Sequence, residues 1–140
     1  MTCHEVLDIL GNLISALRAF GSKLPPVIHL ASLPGGIKPT PELIDTYETT
    51  ISRFRDHSGK SLYRRLNDQF LTSLEAFEAG NLLGATQPLL AVLDQVEAMQ
   101  HDHEITVMPR EAKRMAEYRA ALNKILPGNQ PELEGAGRGM

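Results

Sequence analysis

Apolar residues recur at helical spacing along most of this chain, and their pattern predicts five helices. The first covers residues 4–20, where Val6, Leu10, Leu13, Leu17 and Phe20 form one stripe, Leu7 and Ile14 widen it, and Gly21 supplies the stop. A second begins at Thr40-Pro41-Glu42, which offers a capping hydroxyl, a proline at the first helical position and an acid at the positive end of the dipole. Its inner face is Ile44, Tyr47, Ile51 and Phe54, and Ser58-Gly59 breaks it. The third is expected from Ser61, with Leu62, Leu66, Phe70, Leu74 and Phe77 inward, to Gly80, which suits the left-handed position after a helix end. Asn81 can cap a fourth helix whose inner face is Ala85, Leu89, Leu93, Val96 and Met99, with a kink expected at Pro88. The fifth starts near Pro109, shows Ala112, Met115, Tyr118, Leu122 and Ile125 on one side, and stops at Pro127-Gly128.

Two stretches break the periodicity. Five prolines between Gly21 and Pro41, with Gly35 and Gly36, cannot sustain a long helix, so residues 21–40 read as a strap whose Val27, Ile28, Leu30 and Leu33 pack against the rest. Residues 128–140 hold four glycines and no apolar period, and are expected to be a flexible tail. The fold class is therefore all-α: a helical bundle of about five helices with a proline-rich connector after the first. Residues 1–127 are expected to be one domain, its core bundle over 41–126.

Composition supports that reading. The chain has 140 residues, 42% of them hydrophobic, with no Trp, four Phe and three Tyr, a balance that favours helices over sheets. A net charge of -3 argues against a general polyanion binder. That total hides a block order: residues 66–109 carry seven acids and no Lys or Arg, flanked by Arg53, Arg55, Lys60, Arg64 and Arg65 before and by Arg110, Lys113, Arg114, Arg119 and Lys124 after. Charge in blocks speaks of contacts between elements or with a partner. The last helix's cations are expected to face the acidic fourth helix. A single cysteine, Cys3, precludes an internal disulfide framework, and the first twenty residues lack the basic start and cleavage site of an export signal. No stretch is apolar enough to span a bilayer, and a reducing, cytoplasmic compartment is expected.

Over residues 47–126 the segments HSGKSLYRRLNDQFLTSLEAFEAGN and LAVLDQVEA, followed by the last helix, resemble the FIMAH-type module, a three-helix unit commonly appended to secreted bacterial enzymes. The resemblance implies an accessory or binding role and supplies no catalytic residues. The chain departs from that pattern at Pro88, in its extra first helix with the proline-rich connector, and in the missing export signal.

No catalytic constellation stands out. His101 and His103, with Asp102 and Glu104, form a run of potential metal ligands, but residues at i and i+2 of a helix diverge and no third ligand is evident; a polar helix end is the plainer reading. Cys3 beside His4 does not make a nucleophile and base. His29 and His57 read as packed or solvated, Ser32 and Ser58 lack the glycines of a nucleophile elbow, and no phosphate-cradling loop is present. The expectation is a non-enzymatic interaction or regulatory protein without a cofactor. It would present charged helical faces to a protein partner and anchor it through Leu10, Leu13, Leu17 and Phe20, although the same stripe would equally fill an internal groove. The alternative is a nucleic-acid-associated subunit using Arg53, Arg55, Lys60, Arg64 and Arg65, with Tyr63 stacking on a base. A metal-dependent enzyme at residues 101–104 is the third reading. Oligomeric state is not legible.

Overall fold

The computed structural model describes residues 1–22 and 38–125, so Val27, Ile28, Leu30 and Leu33 of the expected strap, His29, Ser32 and the whole tail lie outside the described residues. Helix α1 spans Cys3–Gly21, α2 Pro41–Ser58, α3 Asn67–Glu78, α4 Leu82–His101 and α5 Pro109–Ile125; a 3-10 turn, Leu62–Leu66, leads into α3. No strand occurs among the described residues, and the architecture is the all-α bundle that the periodicity predicts.

Capping explains where the helices begin and end. Thr2 and Glu5 form a reciprocal box at the start of α1, in which the Glu5 amide donates to the Thr2 hydroxyl at 3.2 Å and the Thr2 amide donates to the Glu5 carboxylate at 2.8 Å. Thr40 accepts from the Leu43 amide with Pro41 in the first turn, and Asn81 accepts from the Gly84 amide at 2.8 Å. Gly80 takes φ 77 after α3, where the Asn81 amide reaches back to the Ala76 carbonyl and the Gly80 amide to that of Phe77. The end of α4 repeats this bonding with His103 at φ 62, its amide on the Gln100 carbonyl and the Glu104 amide on that of Met99. A β-carbon in the left-handed region is unfavourable, so this turn carries strain that Gly80 avoids.

One expected start is corrected. The third helix does not begin at Ser61, whose hydroxyl makes no capping bond; the chain winds instead as a 3-10 turn. Three residues per turn put Tyr63 and Leu66 on the inner side and leave Leu62, expected inside, 38% exposed. Ala112 of α5 is likewise exposed, because that helix buries only Met115, Ala121 and Leu122. Helix α4 continues through Pro88.

Helix α1 is the most deeply packed element, with ten of its nineteen residues buried. It lies against α2 and α5 and touches α4, while α3 bridges α2 and α4, which closes a ring around one core. Ring contacts set the register of α2 and α3 as antiparallel neighbours: Tyr47 stacks on Phe77 at 4.3 Å and Phe54 meets Phe70 edge-on at 4.6 Å. Phe20 of α1 meets the edge of Phe77 at 5.8 Å. A buried polar chain crosses three helices: Tyr47 Oη donates to Ser73 Oγ, which donates to the Ala85 carbonyl of α4 at 2.6 Å. Helices α1 and α5 run parallel and approach closely at Gly11, where a β-carbon would meet Tyr118 Oη at 2.6 Å.

Candidate functional site

The four residues proposed as a partner anchor lie in the chain's own core. Leu10, Leu13 and Leu17 are 0% exposed and Phe20 is 1%, so the broad stripe of α1 serves the internal groove and these side chains are not offered to a partner in this fold. Amphipathicity reports that a face is covered, not by what.

Charged residues divide into two groups, those held by internal partners and those left in solvent. Of the five α5 cations expected to face α4, Arg119 is the one that pairs there among the described residues, reaching Asp94 at 2.9 Å and Glu97 at 3.2 Å, while Arg110, Lys113 and Lys124 form no ion pair among those residues. Arg114 does something the sequence did not suggest: it crosses to α1, where Nη2 donates to Asp8 at 2.9 Å and to Tyr118 Oη at 2.7 Å. Its guanidinium carbon lies 5.5 Å from the Tyr118 ring centroid, and Nη1 donates to His4 Nδ1 at 3.3 Å. Parallel packing of α1 and α5, which juxtaposes residues over one hundred positions apart, is what creates this cluster.

Arg65 is also occupied. It forms a two-pronged bond with Glu104, Nη1 to Oε1 at 2.9 Å and Nη2 to Oε2 at 3.1 Å, which holds the Glu104 carboxyl below its usual range. One member of the basic cluster thus neutralises one member of the proposed metal run. Tyr63, assigned to base stacking in the nucleic-acid reading, is 6% exposed, and burial pushes its phenol up to about 12. It is core and not a stacking platform. His101 closes α4 and His103 occupies its strained exit turn, both exposed; among the described residues no three His, Cys, Asp or Glu side chains come together as metal ligands would. Cys3 is buried, and its thiol is pushed up to about 11, first by burial and then by the Glu111 carboxylate.

Of the basic cluster that precedes the acidic block, Arg53, Arg55, Lys60 and Arg64 remain. All four are exposed, and none forms an ion pair among the described residues. They follow one another from the second half of α2 through the 3-10 turn, with Asp56 among them. A cavity of about 400 Å³ at the C-terminal ends of α1 and α5 is lined by Arg18, Gly21, Ser22, Ala121, Lys124 and Ile125, none of them a nucleophile or base paired for catalysis. No helix among the described residues is long and apolar enough to cross a membrane. Comparisons with protein-family models, with curated proteins and with solved structures find nothing that matches this chain.

Proposed function

We propose that this chain is a non-enzymatic interaction module of accessory or regulatory type, the role the FIMAH-type resemblance implies, and that it engages a protein partner through a charged helical face. One contrast carries the reading: Arg65, Arg114 and Arg119 are held by carboxylates of the same chain, whereas Arg53, Arg55, Lys60 and Arg64 project from the α2 end and the 3-10 turn without one among the described residues. Cations with no internal partner raise the local potential and steer an acidic surface into register. A protein partner is favoured over nucleic acid because the buried Tyr63 and the occupied Arg65 remove the aromatic platform and one phosphate fork from that alternative.

A native pull-down tests the reading, comparing the wild-type chain with a variant carrying Arg53→Glu, Arg55→Glu, Lys60→Glu and Arg64→Glu. The wild type is expected to retain a protein at low salt that the variant loses, with the capture insensitive to nuclease. Identical captured sets for the two chains, or capture of nucleic acid alone, would overturn it.

A further inference from the structure

The α2–α3 hairpin is divided by charge along its length, and the ring contacts say where the division falls. Tyr47 on Phe77 marks one level and Phe54 on Phe70 the other, two helical turns away. At the first level Asp45 and Glu48 flank Tyr47, Glu75 and Glu78 flank Phe77, and Glu42 lies one turn earlier on α2. These five carboxylates are exposed and form no ion pair among the described residues. At the second level Arg53 and Arg55 flank Phe54, with Lys60 and Arg64 beyond them; Asp56 and Asp68 are the acids on that half. The first half gathers carboxylates and the second carries an excess of cations over Asp56 and Asp68, so the two halves are opposite in sign.

We propose that the hairpin is a self-complementary docking surface whose partner is a second copy of this chain, paired antiparallel about a two-fold axis. The acidic half of each copy then faces the basic half of the other, so one patch serves both sides of an isologous interface. The inference rests on the reading of the chain as an interaction module and names its partner. The carboxylates, Arg53 and Arg55 sit on helices joined through the two ring contacts, and Lys60 and Arg64 on the connection between those helices, so the charges follow one another in a set order. Exposed ion pairs are individually weak and screened by salt, and the association is correspondingly weak and salt-sensitive.

Sedimentation equilibrium of the purified full chain at about 100 µM is the first test, run in about 50 mM and about 500 mM salt. A monomer–dimer equilibrium is expected, with a dissociation constant at least about tenfold higher in the stronger salt. The second test uses two charge-swapped chains, one with Arg53→Glu, Arg55→Glu and Arg64→Glu, the other with Glu48→Lys, Glu75→Lys and Glu78→Lys. Every changed side chain is exposed, and circular dichroism is to be used to check that each variant keeps its helices. Alone, each is expected to be monomeric; mixed, they form a one-to-one pair. A wild-type chain that stays monomeric at low salt, dimers indifferent to salt, swapped chains that still self-associate, or a mixture that stays monomeric would each overturn the proposal. Because only purified chain is used, those failures leave the pull-down free to find a different protein on the cationic face.

Discussion

Replacing Ser73 by alanine tests the polar chain that ties α2, α3 and α4 together. Tyr47 and Ser73 are both 0% exposed, and Ser73 Oγ accepts from Tyr47 while donating to the Ala85 carbonyl. Ser73→Ala removes both bonds and strands the Tyr47 hydroxyl in apolar surroundings, whereas the Ala85 carbonyl keeps its helical environment. An orphaned buried hydroxyl costs about 1–3 kcal/mol, and the second lost bond adds roughly 1 kcal/mol. The expected destabilisation is therefore about 2–4 kcal/mol. Tyr47→Phe, by contrast, leaves Ser73 still donating to Ala85 and should cost only about 1 kcal/mol. The double variant has no orphan, so its cost should fall below the sum of the two single costs by about 1 kcal/mol. Urea unfolding followed by far-ultraviolet circular dichroism measures all three, and Ser73→Ala should lower the midpoint by about 1 M or more at unchanged slope. Strict additivity, or a Ser73→Ala cost below about 0.5 kcal/mol, would show that the hydroxyls are solvated or paired otherwise.

Three further outcomes follow from the same structure. Leu17→Ala, at a position 0% exposed in α1, should cost about 2–5 kcal/mol in thermal or urea unfolding, whereas an anchor exposed to a partner would lose less than about 0.5 kcal/mol. His103→Gly relieves a left-handed residue at φ 62 and should stabilise by up to about 1 kcal/mol; a clear loss of stability would show that the imidazole makes a contact the turn depends on. Alkaline pH should destabilise the fold. Burial first and the Glu111 carboxylate second raise the Cys3 thiol from 9.0 to about 11, and burial raises the Tyr63 phenol from 10.0 to about 12. The folded state therefore holds these protons after the unfolded chain has released them. The stability they contribute is complete below pH 9.0 and is lost as pH rises through about 11 for Cys3 and about 12 for Tyr63. Unfolding free energies measured across that range should fall with pH, and Cys3→Ser should flatten the part between 9.0 and about 11; an unchanged slope would contradict the buried thiol.

Local signals in the chain explain much of the bundle. Thr40-Pro41, Gly80-Asn81 and the apolar stripes locate helix starts, stops and inner faces because capping and amphipathic burial act over a few residues. The same reasoning foresaw cations of α5 against acids of α4, which Arg119 meets with Asp94 and Glu97, since a short connection makes the two helices neighbours and their charges are opposite. It failed at Ser61, where the following residues suit either winding and core contacts at Tyr63 and Leu66 select the 3-10 turn.

Sequence alone determined that the chain folds as helices around an apolar interior and that its charges come in blocks, because both properties are written in residue spacing. Only the tertiary structure decided which charges are used up inside the molecule. Arg114 finds Asp8 and His4, and Arg65 finds Glu104, across separations no local pattern encodes. It also decided that Leu10, Leu13, Leu17 and Phe20 are interior, because a stripe records the need for cover and the neighbouring helices alone supply it.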